Sequence, residues 1–281
     1  MRMVIKAVFK GTNMSNREIS EAEKKQVMLE IMDEIHDYCV RSNIPYYLVG
    51  GTLLGAVRHH GFIPWDDDMD IGLLRKDYEY LLQHFESKSG NIEIIHCGNM
   101  NHYIWPSAKA VHNKTALIEN GYQKSEIGVY IDVFPFDYID ADSYEEARAI
   151  VQKSNRWKDL LTLKYLRVNH NRRLVKNILV IIGKILYVIP SSLLIKKINS
   201  YGKLNYTGTE KYICNFSGAW GLKELANASD FARTIQGQFE GREYLLPEGF
   251  DDYLHTVYGD YMKLPPEEKR ISHHSNIAFW K

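Results

Sequence analysis

The feature that most constrains this chain is a run of four aspartates in five positions, Asp66-Asp67-Asp68-Met69-Asp70. Beyond the run, apolar residues alternate with small or polar ones as far as Leu73, which is typical of a strand with one buried face. Alternation places Asp66, Asp68 and Asp70 on one side, if the strand extends that far. Carboxylates this close repel one another. A half-buried strand that carries them together therefore indicates a cation that neutralises their charge. A solvated acidic turn is the alternative, but it does not explain the apolar alternation.

A second carboxylate with apolar neighbours, Asp132, lies in another candidate strand at 128–134. Together with Asp68 and Asp70 it makes a natural set of three ligands. Oxygen ligands select Mg²⁺ or Mn²⁺ over zinc or copper. A carboxylate on a neighbouring strand can also accept the proton of an attacking hydroxyl. We therefore expect these three aspartates to bind the metal and to carry the chemistry.

A candidate phosphate site precedes the aspartates, where Gly50-Gly51-Thr52 follows a strand and opens a helix at 52–58. Such an arrangement lets backbone amides, a hydroxyl and the helix N-terminus approach phosphate oxygens, although a Gly-Gly pair is also common in plain turns. Arg58 could contact a phosphate or pair with an aspartate, and Lys109 could contact a phosphate or simply extend its head to water. The residues we expect to bind substrate are Gly50, Gly51, Thr52, Arg58, Trp65, Asp66 and Lys109.

The order of elements predicts an α/β (α+β) fold, with a mixed sheet flanked by helices at 20–141. Ser20-x-x-Glu23 is a capping box before an amphipathic helix. The predicted strands are 46–49, 68–73, 92–96, 107–112 and 128–134, the last ending at Pro135; a helix is predicted at 76–87. Residues 142–205 form a mostly helical insertion with helices at 143–169 and 174–199. Residues 206–281 complete the same domain with a strand at 212–216, a hairpin at 237–246 and a helix at 250–258.

The segment 174–198 is unusually apolar, with Lys184 and Pro190 interrupting it and basic residues on both sides. A bilayer span needs about 20 largely uninterrupted apolar residues, which this segment lacks. Two interpretations remain: a buried helical hairpin kinked at Pro190, or a helix in the membrane interface with basic residues at the lipid headgroups.

Composition narrows the class of partner. Thirty-five basic and thirty-five acidic residues give a formal charge of zero, which argues against a nucleic-acid partner. The first residues lack the apolar region and cleavage site of a signal peptide. We expect a cytoplasmic protein, placed at the inner face of the membrane if the apolar segment contacts lipid.

The order of strand, Gly-Gly-Thr, Asp-x-Asp and a later isolated aspartate resembles the nucleotidyltransferase fold superfamily. Two longer stretches, 48–58 and 61–71, resemble the LicD family, which includes bacterial phosphocholine transferases and is related to the fukutin-type transferases. A further match lies at 258–270, with Asp132-Val133-Phe134-Pro135 between them. The resemblance extends over about residues 25 to 275.

This resemblance implies that a phosphoalcohol, with phosphocholine as the first expectation, moves from a CDP-linked donor such as CDP-choline to a sugar hydroxyl of a cell-surface glycan or glycolipid, releasing CMP. CDP-ribitol and CDP-glycerol are alternative donors. Two rival functions use the same fold: nucleotidyl transfer to a small molecule or protein, and a scaffold without activity. The costly cluster of retained aspartates argues against the scaffold.

Overall fold

The computed structural model describes residues 17–118, 127–166, 181, 183, 188–202, 209–271 and 276–281. The helices in these ranges are α1 (Glu21–Arg41), α2 (Gly50–His59), α3 (Arg75–His84), α4 (Tyr144–Tyr165), α5 (Ser191–Asn199) and α6 (Phe250–Tyr258). The strands are β1 (Glu18–Ile19), β2 (Tyr47–Leu48), β3 (Asp70–Leu74), β4 (Ile92–Ile95), β5 (Ala108–His112), β6 (Thr115–Ile118), β7 (Tyr130–Ile139), β8 (Tyr212–Cys214), β9 (Leu225–Asn227), β10 (Thr234–Phe239), β11 (Arg242–Pro247) and β12 (Ile277–Trp280).

The predicted capping box starts α1. The Ser20 hydroxyl accepts the backbone N–H of Glu23, and the Glu23 carboxylate accepts the backbone N–H of Ser20 at 3.0 Å. The predicted apolar stripe is buried, with Ile31 and Ile35 fully enclosed, and α1 packs on β5 and β7. Burial of this stripe is the main stabilisation of such a helix, because propensity alone contributes little.

A mixed sheet in the order β2-β3-β7-β5-β4 forms the centre of the fold. Only the β3–β7 pair is parallel; β2 joins β3, β5 joins β7 and β4 joins β5 in antiparallel fashion. This confirms the predicted mixed α/β (α+β) class. The strand after the aspartate run begins at Asp70, so Asp66 and Asp68 lie in the loop before it.

The prediction that the 128–134 strand ends at Pro135 is wrong, because β7 continues to Ile139. On one edge its last partner in β5 faces Val133, and pairing with β8 begins only at Asp137. Pro135 therefore falls in the gap between two partner strands, where its missing N–H costs no ladder hydrogen bond on that edge.

The two helices of the predicted insertion pack against each other and against the continuation of the sheet. α4 contacts α5, β8 and β9, and the apolar face of α5 is buried through Leu194, Ile195 and Ile198. This agrees with the buried interpretation for 191–199, whereas most of 167–187 lies outside the described residues. No helix in the described ranges has both the length and the apolarity needed to cross a bilayer.

The C-terminal part returns to the first half of the chain. β8 pairs with the end of β7, β12 pairs with β1 and β6, and the hairpin β10–β11 contacts β2 through β11. The predicted helix at 250–258 is confirmed with the same bounds as α6. Residues distant in sequence thus border the cavity above β3 and β7.

Candidate active site

Sheet register brings three charged residues into one row across adjacent strands. Asp70 on β3 is the register partner of Asp132 on β7, and Asp132 is the register partner of Lys109 on β5. The Lys109 ammonium donates to Asp132 Oδ1 at 2.8 Å and lies over the rings of Tyr130 and Trp105. The two carboxylates predicted to act together from distant segments are therefore neighbours.

The row lies at a cavity of about 1150 Å³. This is larger than the ~300–1,000 Å³ typical of a pocket for a single small ligand. Its walls come from four parts of the chain: the aspartate segment, the strands β5 and β7, the α4–β8 region and the residues around 258–269. The predicted site residues that line it are Gly50, Gly51, Arg58, Trp65, Asp66, Asp68, Asp70, Lys109 and Asp132.

Thr52 differs from its predicted place. It is buried and does not line the cavity, and its hydroxyl accepts the backbone N–H of Asp70 at 2.8 Å. The reason is that α2 already starts at Gly50. Thr52 therefore lies in the first turn of the helix, on the side that faces β3. Thr52 therefore positions the first residue of β3, and its expected contact with a phosphate stays a prediction.

Gly50 and Gly51 lack side chains, so the carboxylates of Asp70 and Asp66 can lie close to the backbone of α2. A Cβ on Gly51 would lie 2.4 Å from Asp66 Oδ2, and one on Gly50 would lie 3.0 Å from Asp70 Oδ2. Gly50 also has a φ of +56°, a conformation that side chains with a Cβ rarely adopt. The helix N-terminus thus faces Asp66 and Asp70, where its partial positive charge favours anions.

The aspartate run divides as alternation predicts, although most of it precedes the strand. Asp66, Asp68 and Asp70 line the cavity, whereas Asp67 points away and forms an ion pair with Lys24 of α1 at 3.4 Å. Both side chains of that pair are more than nine-tenths buried. Asp67 therefore attaches the loop to α1.

The carboxylates at the cavity are electrostatically strained. Burial, followed by the negative charges of Asp68, Asp132 and Asp66, raises the pKa of Asp70 well above its ordinary value, and Lys109 only partly opposes this. Burial and the neighbouring Asp68 raise the pKa of Asp66 to about 7. Such shifts arise where like charges share a low-dielectric space without sufficient counter-charge.

The chemistry of this set fits a hard divalent cation, because Asp66, Asp68, Asp70 and Asp132 line one cavity, where their mutual repulsion adds to burial in raising the pKa values of Asp66 and Asp70. Within the described ranges, however, no three His, Cys, Asp or Glu side chains are arranged as ligands of one ion. Asp132 is instead paired with Lys109. The predicted ligands Asp68, Asp70 and Asp132 thus line the same cavity, but their side chains would have to move for all three to bind one metal ion.

The other predicted contacts lie at the cavity wall with partners of their own. Arg58 donates to the backbone carbonyl of Tyr261 at 2.5 Å. Trp65 lies between His59, at 6.2 Å between ring centroids, and Arg270, whose guanidinium carbon is 5.7 Å from the indole centroid. These residues join the aspartate loop to the segment that follows α6.

Sequence reasoning missed a second polar wall made by Lys158, Ser217, Glu224, Tyr253 and Tyr258. Tyr258 belongs to the C-terminal stretch 258–270 that resembles the family, and this resemblance could have indicated a place at the site. Glu224 had no signal, because an isolated acidic residue looks like any surface position. Only the return of the chain after β8 brings it to the cavity.

Comparisons with known proteins identify the family of this chain. The family model "LicD/FKTN/FKRP, nucleotidyltransferase domain" matches residues 43–172. Lipopolysaccharide cholinephosphotransferase LicD of Haemophilus influenzae is 30% identical over 271 residues, covering 94% of this chain and 99% of that protein. Human ribitol 5-phosphate transferase FKRP is 30% identical over 95 residues, which cover 34% of this chain and 17% of FKRP. The chain belongs to the LicD family.

Proposed function

We propose that this protein is a transferase that moves a phosphoalcohol from a CDP-linked donor to a sugar hydroxyl and releases CMP. The observation that carries the proposal is the row Asp70–Asp132–Lys109, with Asp66 and Asp68 beside it, at a cavity larger than one small ligand needs. The LicD relative, which aligns with this chain over almost its whole length, is named a cholinephosphotransferase. Phosphocholine is therefore the first candidate for the transferred group.

The reaction forms one P–O bond and breaks another. The acceptor hydroxyl oxygen attacks the phosphorus that carries the alcohol, the bond to CMP breaks, and the hydroxyl proton passes to a carboxylate. Asp132 suits the proton transfer because it lies on a strand beside the phosphate-facing loop and is not fully buried. Lys109, next to it, supplies positive charge to the pyrophosphate.

Mg²⁺ or Mn²⁺ is the proposed cofactor, held by Asp68, Asp70 and Asp132, where it would neutralise the pyrophosphate and the leaving phosphate. The raised pKa of Asp70 supports this, since burial and the nearby carboxylates disfavour its charged form, which a bound cation would stabilise. Asp70→Asn should abolish transfer while leaving the metal-free unfolding temperature unchanged or higher, because one repelling charge is removed. Full transfer by this variant would exclude the metal role of Asp70.

The decisive experiment supplies the purified protein with Mg²⁺, a membrane-glycan extract and, separately, CDP-choline, CDP-ethanolamine, CDP-ribitol and CDP-glycerol. CMP formation that depends on Asp70 and is fastest with CDP-choline is the expected result. CMP formation fastest with CDP-ribitol would instead resemble the activity for which FKRP, a ribitol 5-phosphate transferase, is named. Pyrophosphate release from a nucleoside triphosphate, with no CMP from any donor, would favour nucleotidyl transfer.

We also propose that the protein works at the inner face of the membrane. The exposed Lys196 and Lys197 on α5 support the proposal, because basic residues beside an apolar segment are attracted to anionic headgroups. Co-flotation with vesicles containing phosphatidylglycerol, weakened in Lys196→Gln/Lys197→Gln, is the expected result. Flotation equal for both proteins would remove these lysines from the interaction.

A further inference from the structure

One wall of the cavity carries buried hydrogen-bonding atoms that have no partner among the residues that the structure describes. Glu224 is 3% exposed; its Oε1 accepts the backbone N–H of Trp220 at 3.3 Å, and the Tyr253 side chain lies beside the carboxyl group, but Oε2 forms no hydrogen bond of ordinary length among the described residues. Ser217 Oγ, on the same wall, is likewise buried and unpartnered. A buried polar atom without a partner destabilises the folded protein, so two on one wall indicate that a ligand completes them.

The loop that carries these atoms is held rigidly. Asn215 Oδ1 accepts the backbone N–H groups of Ser217 and Gly218, and the Lys158 ammonium donates to the Gly218 carbonyl at 2.5 Å. A Cβ on Gly218 would lie 2.1 Å from Glu224 Oε1. The glycine therefore allows the carboxylate to lie against the loop, and the two free atoms are fixed in place before any ligand arrives.

An aromatic surface borders the same wall. Trp220 is 47% exposed, lines the cavity and meets Tyr258 edge-on, with 5.3 Å between ring centroids. An exposed indole beside unsatisfied oxygen atoms suits a ligand with an apolar face of C–H groups and a polar rim of hydroxyls. A quaternary ammonium suits this wall less well, because it cannot donate a hydrogen bond to Glu224 and Lys158 places a positive charge nearby.

The subsite is close to the aspartates but separate from them. The charges of Asp70, Asp66 and Glu224 all act on the Tyr258 hydroxyl and, with burial, raise the pKa of Tyr258. Tyr253 likewise contacts both Glu224 and the backbone of Gly50. Tyr253 and Tyr258 thus connect the wall at Glu224 with Gly50 and the aspartates, and all of these residues line the same cavity.

We infer that Ser217, Trp220 and Glu224 form a binding subsite for a hydroxyl-rich ligand, with the acceptor sugar as its first source and the polyol of a donor as its second. The hydroxyls of the ligand would donate to Glu224 Oε2 and exchange a hydrogen bond with Ser217 Oγ, while its C–H face lies on Trp220. Naming the sugar as acceptor rests on the proposed function, whereas the binding of a polyol does not.

The test measures binding without any transfer reaction. Saturation-transfer NMR titrations of the full-length protein use methyl β-galactopyranoside and methyl β-glucopyranoside for the acceptor, and ribitol 5-phosphate and glycerol 3-phosphate for the donor. The variants are Ser217→Ala, Trp220→Leu and Glu224→Gln, with Trp105→Leu as the matched control, because Trp105 lines the cavity on the Lys109 side.

The expected result is that each subsite variant raises the dissociation constant of at least one glycoside about 5- to 10-fold, the size of one lost hydrogen bond or contact face, whereas Trp105→Leu does not. The same rise confined to the sugar phosphates supports the subsite and assigns it to the donor. Equal binding by all four variants and the wild type overturns the inference. Because no CDP-linked donor is present, this outcome is independent of whether CMP is released in the transfer assay.

Glu224→Gln could also weaken the fold, since Glu224 is buried. Ser217→Ala and Trp220→Leu keep the test decisive, because one is a small change and the other alters a side chain that is nearly half exposed. A thermal unfolding scan of each variant identifies any that is not folded, and only folded variants enter the comparison.

Discussion

Strand β7 carries two carboxylates, Asp132 and Asp137. Each forms an ion pair with a basic side chain, but the two pairs differ in geometry and in exposure. Arg75 binds both oxygens of Asp137 at 2.7 Å each, and the Asp137 side chain is 1% exposed. Lys109 binds one oxygen of Asp132 at 2.8 Å, and the Asp132 side chain is 17% exposed at the cavity. The first pair uses both carboxylate oxygens within the protein, whereas the second leaves one oxygen outside the ion pair.

This difference separates a structural pair from the pair that we propose to take part in the reaction. A planar guanidinium matched to a carboxylate gives a fixed geometry, and Arg75 also reaches Asn199 at the end of α5, so it joins α3, β7 and α5. A lysine beside a cavity is a single point charge that a substrate can share. The predictions below separate the two pairs, beginning with the largest effect.

The largest effect is expected for Asp132→Asn. Transfer should fall by at least about 10⁴-fold, equivalent to roughly 5.5 kcal/mol of activation free energy, because a proton acceptor and a proposed metal ligand are lost together. The measurement is CMP release at saturating donor. Retention of a tenth of the wild-type rate would place the chemistry elsewhere.

Breaking the buried pair should reduce stability. Arg75→Met leaves Asp137 buried and uncompensated, and the free energy of unfolding should fall by about 3–5 kcal/mol in a urea titration. Arg75→Met/Asp137→Leu should recover most of that loss, since both charges are gone. The matched control, Lys109→Met, should cost less because water in the cavity can solvate Asp132. An equal loss for both single variants would contradict the distinction.

Glu224 adds a third case, a buried carboxylate without an ion pair. Burial raises the pKa of Glu224 from 4.5 to about 7. The folded state therefore binds more protons than the unfolded state across this range, so the contribution of Glu224 to stability is lost as the pH rises from 4.5 to 7. Glutamine does not titrate. The free energy of unfolding of Glu224→Gln should therefore rise relative to that of the wild type, by up to about 3 kcal/mol at pH 8.

Urea titrations at pH 5, 6, 7 and 8 give this comparison directly. The relevant quantity is the difference between variant and wild type at each pH, which cancels the titration of other groups. A difference that does not change with pH would show that Glu224 is ionised normally in the folded protein.

The smallest effect is expected for Asp67→Asn. This residue pairs with Lys24 on the far side of the aspartate run, so transfer should stay within about 3-fold of wild type and the free energy of unfolding should fall by ~1 kcal/mol. Asp68→Asn, one position along, should instead abolish transfer. Similar losses of transfer in both variants would show that the run does not divide between the two sides.

The local elements were predictable because each depends on neighbours in sequence. Ser20 and Glu23 cap α1 through contacts three residues apart, and the 250–258 helix has the predicted bounds. Two departures from the sequence analysis, a wrong strand end and a residue that lies away from the cavity, arise from tertiary contacts. β7 passes through Pro135 because partner strands change there, and Thr52 turns inward because α2 begins two residues earlier than predicted.

The sequence by itself determined which residues of the aspartate run share a side, and it made Asp132 a candidate to join them, because period-2 alternation and apolar flanks are local properties. Only the tertiary structure decided that Asp70, Asp132 and Lys109 occupy one row, that Asp137 belongs to Arg75, and that Glu224 faces the cavity. Register between distant strands and the path of a returning loop are set by the packing of the whole core, and no local pattern in the chain encodes them.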